Sequence, residues 1–290
     1  MRRPSQRHKG HVHGGTALRQ WLTLVGYALP PPTAQDCFDI VGDVHGCLEE
    51  LLALMALLGY RVERPAGAFA VTPPAGRRLA FVGDLVNRGP ATPAVLRLVM
   101  TMVAAGQAFC VPGNQDVKLA KALHRRGLKF SPGVALSLRQ LGEEPREFRT
   151  QVARFLLAME SHRVLDNGNL VIAHAGLKER LQGKRTAKAR RLAVCGETTG
   201  KTDEFGVPVR GNWAAGYCGA ALVVFGHTPV PQPLWLNNTV NIDTGCVYGG
   251  RLTALRYPER VTVSVPAMGA YSPTRSIFLR NQAPAPAALP

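Results

Sequence analysis

The nine residues at positions 38–46, Phe-Asp-Ile-Val-Gly-Asp-Val-His-Gly, constrain this chain most strongly. A short run of residues that favour β-structure stops at a glycine, and Asp43 and His45 then follow two positions apart. This pattern predicts a buried strand that ends in a tight turn and aims both side chains at one point. A carboxylate and an imidazole on a rigid strand end supply half of a metal site. The same residues also fit an ordinary turn with a capping aspartate, so the rest of the chain decides.

The same arrangement recurs along the chain. Further apolar runs end near residues 82, 111, 173, 225 and 242, and each continues into a glycine-bearing loop with an acidic, amide or imidazole side chain. Helices are expected after the first three strands, with a helical insertion between about 127 and 163. Such a βαβαβ pattern predicts a site at the carboxyl ends of the strands. The late segments 251–257 and 260–265 alternate like antiparallel strands.

Six side chains at these strand ends are the candidate metal ligands. They are Asp43, His45, Asp84, Asn114, His174 and His227. A single buried histidine is more often structural, but six ligand-type side chains in one local context favour a shared site. Mixed oxygen and nitrogen donors suit Mn, Fe, Zn, Ni or Co. Two such cations about 3.5–4 Å apart would clamp a phosphoryl group and lower the pKa of a water molecule.

Composition bounds the remaining possibilities. The 290 residues are 46% hydrophobic, which supports one large domain or at most two. The net charge of +16 would attract phosphoesters or nucleic acid, although a basic tail and a solvated surface would produce the same excess. No apolar stretch is long enough to span a membrane. Six scattered cysteines without a Cys-x-x-Cys pair indicate reduced thiols in a cytoplasmic protein.

The composition also suggests where the domain begins and ends. Residues 1–36 carry clustered basic residues, histidines and three consecutive prolines, and are expected to form a flexible tail or linker. Residues 37–268 would form the catalytic domain, and residues 269–290, rich in proline and alanine near the end, a C-terminal tail.

Five motifs together resemble the phosphoprotein-phosphatase type of the calcineurin-like metallophosphoesterases. They are Gly-Asp-Val-His-Gly (42–46), Gly-Asp-Leu-Val-Asn-Arg-Gly (83–89), Gly-Asn-Gln-Asp (113–116), His-Ala-Gly (174–176) and Gly-His (226–227). The resemblance implies an α/β, four-layer fold in which two mixed β-sheets form a sandwich flanked by helices. Two later blocks, 196–210 and 241–258, look closest to the phosphatase module of bacterial polynucleotide kinase-phosphatases, which repair RNA ends.

The resemblance also implies how the six ligands divide between two divalent cations, with manganese the first choice. Asp43 and His45 would hold the first cation, Asp84 would bridge both, and the other three would hold the second. Arg88 and Asn114 would bind the substrate phosphate, for which a guanidinium fork is well shaped.

Two further residues receive weaker assignments. Arg210 is a candidate for a second phosphate clamp, but it aligns only through the surrounding block and could equally be a surface arginine. Asp243, at a predicted strand end, is expected to hydrogen-bond a metal-ligating histidine and so orient it.

The chain departs from the family pattern at two catalytic positions. Asn87 stands where the family usually has Asp, and Gln115 where it usually has the His that protonates the leaving group. Gln115 can donate a hydrogen bond but has no proton to give near pH 7. Losing a general acid costs about 10²- to 10⁴-fold. We therefore expect weak activity on alkyl phosphomonoesters and better activity on aryl, anhydride or cyclic leaving groups.

The main expectation is a binuclear metallophosphoesterase, similar to serine/threonine phosphatases, whose substrates include RNA ends. One alternative is a catalytically impaired protein that keeps its metals and binds phosphorylated or nucleic-acid partners. Another is a dinucleoside tetraphosphatase or a phosphoprotein phosphatase. The basic stretch 178–191 would suit nucleic acid, or would be a solvated helix face. No Gly-x-x-x-x-Gly-Lys-Ser/Thr loop is present, so no kinase domain is expected in cis.

Overall fold

The computed structural model describes residues 37–124, 130–202 and 208–272. The strands are β1 (Cys37–Val41), β2 (Arg61–Glu63), β3 (Ala70–Thr72), β4 (Arg77–Phe81), β5 (Ala108–Cys110), β6 (Arg163–Leu165), β7 (Leu170–Ile172), β8 (Thr198–Thr202), β9 (Pro208–Arg210), β10 (Leu222–Phe225), β11 (Leu234–Leu236), β12 (Thr239–Asn241), β13 (Arg251–Tyr257) and β14 (Val261–Pro266). The α-helices are α1 (Leu48–Leu57), α2 (Thr92–Ala104), α3 (Asn114–His124), α4 (Pro132–Gly142), α5 (Arg146–Ala158) and α6 (Ala187–Cys195).

Two mixed five-stranded sheets form the centre of the molecule. The first has the order β14-β13-β1-β4-β5, in which β1, β4 and β5 are parallel and β13 and β14 are antiparallel neighbours. The second has the order β11-β12-β10-β7-β6, with β7, β10 and β12 parallel. The hairpins β2–β3 and β8–β9 are separate two-stranded sheets. The predicted fold of two mixed sheets with flanking helices is confirmed.

The two sheets pack face to face, and helices cover their outer faces. Phe38 and Ile40 of β1 are fully buried against residues of the second sheet such as Ile172 and Val224. Val41, on the opposite face of β1, packs with the helical layer. Because both faces of β1 are covered, its sequence is an unbroken apolar run apart from Asp39.

Local sequence explains where the helices begin and end. Helix α1 ends just before Gly59, whose φ of 92° lies in the region that glycine adopts readily. Helix α2 begins at Thr92 with a proline in its first turn, where the missing N–H has no intrahelical partner to lose. Because β1, β4 and β5 are parallel, the segments that follow them all begin at the same edge of the sheet. The site lies at this edge.

Two parts of the predicted domain layout correspond to particular elements. Helices α4 and α5 lie within residues 127–163, where the sequence suggests a helical insertion. The predicted tails, 1–36 and 269–290, lie outside the described residues except for 269–272. Within the described ranges, no helix combines the length and apolarity needed to cross a membrane.

A buried ionic network ties the first sheet together. The carboxylate of Asp39 is fully buried and accepts hydrogen bonds from Arg77 Nε at 3.1 and 3.2 Å, Arg256 Nε at 3.0 Å and the Tyr60 hydroxyl at 3.1 Å. These donors come from β4, β13 and the segment after α1, so one carboxylate holds three parts of the fold against β1. A buried ion pair is costly to break because each remaining charge has lost its solvation.

We therefore expect Asp39→Asn to lower the free energy of unfolding by about 3 kcal/mol, since it leaves two guanidinium groups without their shared carboxylate. Urea denaturation of the full chain measures this change. Glu259→Gln is the matched control, because Glu259 also pairs with Arg77 at 2.7 Å but is 46% exposed. That variant should cost less than about 1 kcal/mol. Equal losses in the two variants would contradict the network's role.

Candidate metal centre

All six predicted ligands meet at one edge of the two sheets. They lie directly after strands or at a helix start: Asp43 and His45 after β1, Asp84 after β4, Asn114 at the start of α3, His174 after β7 and His227 after β10. The first half-site consists of Asp43, His45 and Asp84, whose ligating atoms all lie within 4.8 Å of one another. The second half-site consists of Asp84, Asn114, His174 and His227.

Asp84 is shared by both half-sites. Its Oδ2 lies 3.5 Å from Nε2 of His45, and its Oδ1 lies 3.5 Å from Nε2 of His174. The backbone N–H of Gln115 donates to the same Oδ1 at 2.8 Å and fixes the carboxylate. One oxygen of Asp84 therefore faces each half-site, as a bridging ligand requires.

The second half-site brings together several electron-donating atoms. Asn114 Oδ1 lies 3.2 Å from His174 Nε2 and 3.1 Å from His227 Nδ1, and these two nitrogens are 2.9 Å apart. The remaining nitrogen of His227, Nε2, is buried without a hydrogen-bond partner among the described residues. An amide oxygen and imidazole nitrogens in this arrangement form a donor set that a divalent cation would satisfy.

Backbone carbonyls set the orientation of two imidazoles. His45 Nδ1 lies 2.9 Å from the carbonyl of Val86, and His174 Nδ1 lies 3.2 Å from that of Val82. A carbonyl only accepts, so each Nδ1–H donates and each Nε2 turns a lone pair toward the cluster. Burial, aided by the charge of Arg88, lowers the pKa of His45 to about 4 and that of His174 to about 3. Both rings are therefore neutral near pH 7, the form that binds metals.

The pKa values of two carboxylates in the site are shifted upward, opposite to those of the histidines. Burial, together with the neighbouring charges of Asp243 and Asp84, raises the pKa of Asp43 well above its ordinary value. Burial also raises the pKa of Asp243 to about 7. Nearby buried carboxylates repel one another unless protons or cations neutralise them. The donor set and its excess of negative charge thus fit a pair of divalent cations.

Two glycines make room for the ligand carboxylates. A β-carbon at Gly113 would lie 2.0 Å from Asp84 Oδ1, and one at Gly226 would lie 2.1 Å from Asp43 Oδ1. Non-bonded atoms do not approach so closely, so a larger residue at either position would force the ligand or its loop to shift. Three ligands themselves adopt positive φ values: 47° at His45, 50° at Asp84 and 76° at His227. Backbone conformations of this kind are uncommon for residues other than glycine and are concentrated at functional sites.

The two arginine candidates flank opposite half-sites. A terminal nitrogen of Arg88 donates to His45 Nε2 at 2.9 Å, and its guanidinium lies 5.5 Å from the ring centre of Tyr248. Arg210 donates to the carbonyl of Cys195 at 2.6 Å, and its charge contributes to the lowered pKa values of His174 and His227. Arg88 is therefore positioned beside the first half-site, and Arg210 near the second.

Asn87 and Gln115, here called the amide pair, contact each other. Asn87 Nδ2 donates to Gln115 Oε1 at 3.3 Å and to its backbone carbonyl at 3.2 Å. Asn87 Oδ1 is buried with no partner in the described part of the chain. The backbone N–H of Asn87 donates to Ser137 of α4 at 3.1 Å, so the helical insertion supports this loop. The pair lies beside Asp84 but holds no group that transfers a proton near pH 7.

Asp243 differs from its predicted role. Its Oδ1 accepts from the backbone N–H of Gly245 at 3.1 Å, and its charge acts on Asp43. Among the described residues no hydrogen bond joins it to a histidine ring, and the carbonyls of Val86 and Val82 orient the rings of His45 and His174 instead.

Sequence reasoning missed a role for Asp116. This buried carboxylate accepts from Gly113 N at 2.8 Å and Leu85 N at 3.0 Å, and so joins the loops that follow β4 and β5. Burial and the nearby charge of Asp84 raise its pKa to about 8. Its position in the Gly-Asn-Gln-Asp motif (113–116) is the sequence signal that could have indicated this role.

A second cluster of ligand-type side chains has a structural explanation. Cys47, Glu50 and Cys246 are buried with their ligand atoms within 4.8 Å of one another. Oε1 of Glu50, however, accepts from Met268 N at 2.9 Å and from the Tyr271 hydroxyl at 2.8 Å. Glu50 thereby fastens the segment after β14 onto α1.

Comparison with known proteins identifies relatives over most of the chain. A family model described as calcineurin-like phosphoesterase matches residues 38–231. The bis(5'-nucleosyl)-tetraphosphatase PrpE [asymmetrical] of Anoxybacillus flavithermus is 43% identical over 238 residues, covering 81% of this chain and 96% of the relative. The protein of the same name from Bacillus subtilis is 39% identical, covering 82% and 98%. These relatives do not support the RNA-repair branch expected from the sequence.

Solved structures agree with this grouping. A structure provisionally assigned as a diadenosine tetraphosphatase has a TM-score of 0.58 and 26% identity, covering 82% of this chain and 96% of that one. A protein serine/threonine phosphatase of Saccharomyces cerevisiae has a TM-score of 0.56 at 12% identity, covering 87% and 88%. The latter likeness concerns the fold alone.

Metal binding should release protons. Between about pH 6 and 8 the imidazoles are already neutral, whereas the raised pKa values of Asp43 and Asp243 leave protons on the carboxylates that a cation must displace. Manganese affinity should therefore rise with pH through this range. Titration calorimetry in two buffers of different ionisation enthalpy counts the protons. Asp243→Asn, which leaves the six candidate ligands intact, should release fewer, and pH-independent binding by the parent protein would contradict the assignment.

Gly226→Ala should lower the metal content by about one cation per chain, because the new β-carbon displaces Asp43, a ligand of the first half-site only. Elemental analysis of protein purified without chelator measures the metal content. Gly142→Ala is the matched control, since nothing lies within 4 Å of a β-carbon there. We expect the parent and the control to carry the same metal content. Full loading of Gly226→Ala would show that Asp43 is not a ligand.

Proposed function

The chain belongs to the calcineurin-like phosphoesterase family, and we propose that it hydrolyses bis(5'-nucleosyl) tetraphosphates asymmetrically, the activity in the names of its relatives. Asymmetric cleavage of a four-phosphate bridge releases one nucleoside monophosphate and one nucleoside triphosphate. The dinucleoside tetraphosphatase alternative thereby replaces RNA ends and phosphoproteins as the preferred substrate class.

The amide pair is the observation that carries this proposal. A phosphoanhydride releases a phosphate oxygen, which is stable as an anion and needs no proton as it leaves. An alkyl phosphomonoester releases an alkoxide, which depends on a general acid. Asn87 and Gln115 contact each other where the family has its acid and the residue that orients it, and neither transfers a proton near pH 7. The site is thus suited to anhydrides and poorly suited to alkyl esters.

We assign one divalent cation to each half-site, with manganese as the first choice. Asp43 and His45 would hold the first, Asp84 both, and Asn114, His174 and His227 the second. When bound, the cations would neutralise charge on the phosphates and lower the pKa of a water molecule. The chain's own contribution is to keep the three imidazoles neutral by burial and to hold Asp84 between them.

The remaining polar groups would position the substrate. Arg88 and Arg210, beside opposite half-sites, can each donate to phosphate oxygens. Asn114 directs Oδ1 at the imidazoles, so its Nδ2 is the group that can donate to a phosphate. Gln115 accepts from Asn87 through Oε1, so its Nε2 can hydrogen-bond the departing oxygen without protonating it. This is electrostatic stabilisation in place of acid catalysis.

A comparison of leaving groups tests the proposal. With manganese added, kcat/KM should be at least about 100-fold higher for diadenosine tetraphosphate than for ribose 5-phosphate, because only the latter needs the missing acid. p-Nitrophenyl phosphate, an activated aryl ester, should lie between them. Chromatography should show ATP and AMP as the products. Two molecules of ADP, or rapid turnover of ribose 5-phosphate, would contradict the proposal.

Restoring the acid should change the preference. The double variant Gln115→His/Asn87→Asp is expected to raise the rate on ribose 5-phosphate by about 10²-fold or more, with a much smaller effect on diadenosine tetraphosphate. Gln115→His alone is the matched control, because its imidazole would lack the carboxylate that holds it charged. The control should gain less. No gain in the double variant would mean that this pair does not contact the leaving group.

A further inference from the structure

We infer that a cleft beside the second half-site binds the base and ribose of one nucleotide of the substrate, an inference that rests on the proposed function. The cleft has a volume of about 460 Å³. Its lining includes Lys178, Glu197, Asn212, Trp213 and Tyr217. This volume falls within the range of roughly 300–1,000 Å³ typical of small-ligand sites. The lining combines an aromatic surface with donors and acceptors, as recognition of a nucleoside requires.

The cleft is attached to the loops that carry the second half-site. The indole of Trp213 lies so close to Gly176, two residues after His174, that a β-carbon there would be 2.0 Å from Trp213 Cζ2. The same ring packs 5.1 Å from Phe225, two residues before His227. Trp213 therefore contacts both histidine-bearing loops, which places the cleft against the segments that carry the second half-site.

Glu197 links the cleft to the same half-site from another side. It follows Gly196, where a β-carbon would lie 4.0 Å from Cδ2 of His227. Its carboxylate pairs with Lys178 Nζ at 2.7 Å, and the two side chains are 32% and 37% exposed. Because water reaches this pair, its donor and acceptor groups remain accessible to a sugar hydroxyl or a base edge.

One positive charge, that of Arg210, lies near the second half-site on the segment that leads to the cleft. Arg210 ends β9 and acts electrostatically on His174 and His227, and three residues later the chain reaches Trp213. Lys178 lines the cleft as well, but its charge is already paired with Glu197. A substrate with several phosphates between two nucleosides could therefore place its reacting phosphate at the metals, a second phosphate near Arg210 and a base against Trp213. Aromatic side chains of this kind stack on any base, which fits recognition of nucleosides as a class.

Trp213 could instead serve only to pack the two loops, and the experiment separates the two roles. Manganese-loaded Trp213→Ala should lose about 10- to 100-fold in kcat/KM on diadenosine tetraphosphate, mainly through KM. Its activity on p-nitrophenyl phosphate, which has no nucleoside, should fall far less, and that smaller fall measures what the indole contributes by packing. Trp213→Phe should recover most of the loss, because a phenyl ring also stacks. The control Trp235→Ala removes a tryptophan outside the cleft, on β11, and should match the parent on both substrates.

Equal losses on the two substrates would assign Trp213 to packing and overturn the inference, as would no loss on either. Binding of ATP, measured by calorimetry against inorganic tripolyphosphate, tests the cleft without turnover. The inference expects Trp213→Ala to weaken ATP binding about tenfold or more and to leave tripolyphosphate binding unchanged. One outcome is that the parent protein fails to cleave diadenosine tetraphosphate while Trp213→Ala still binds ATP more weakly than the parent. That result would refute the proposed function and support the nucleoside cleft. Unchanged ATP binding in the variant overturns the cleft.

Discussion

The carboxylate of Asp84 is the interaction on which the rest of the site depends. It lies between His45 and His174 with one oxygen toward each, and Gln115 fixes it from the start of α3. Its position requires a parallel arrangement of β1, β4 and β5 in one sheet, facing β7 and β10 in the other, so that all the following loops meet. It also requires the empty space at Gly113. Fold, loop conformation and metal chemistry therefore converge on one side chain.

The chemistry of the site follows from what surrounds this carboxylate. Burial lowers the pKa values of the imidazoles, which keeps them neutral, and raises the pKa of Asp43, with the charges of Asp243 and Asp84 adding to this rise. Both effects favour the binding of cations. The amide pair beside it can hydrogen-bond but cannot supply a proton. A site with ligands for cations and donors for phosphates, but without an acid, is best matched to a leaving group that departs as an anion. Phosphoanhydrides have such leaving groups, so the replacement of the acid pair by Asn87 and Gln115 is consistent with relatives named as tetraphosphatases.

Much of this architecture was predictable from sequence because the signals were local. Short apolar runs ending at glycine marked the strands, and the polar residues after them marked the site. The six candidate ligands are brought together as predicted. What the pattern could not supply depended on distant contacts: Asp116 bonds to the backbone of another loop, and Trp213 lies on Gly176. Asp243 lies near Asp43 rather than against a histidine, and backbone carbonyls orient His45 and His174 in its place. The RNA-repair branch expected from two C-terminal blocks is not supported by the relatives, whose names match the dinucleoside tetraphosphatase alternative instead.

We expect the carboxylate of Asp84 to bridge two cations at this edge of the sheets. Crystals grown with manganese allow anomalous X-ray diffraction at the manganese edge to locate these ions. Two anomalous peaks are expected, one on each side of the Asp84 carboxylate, with His45 beside one and His174 beside the other. No peak at Asp84, or a single peak at Cys47, Glu50 and Cys246 instead, would contradict this bridging role.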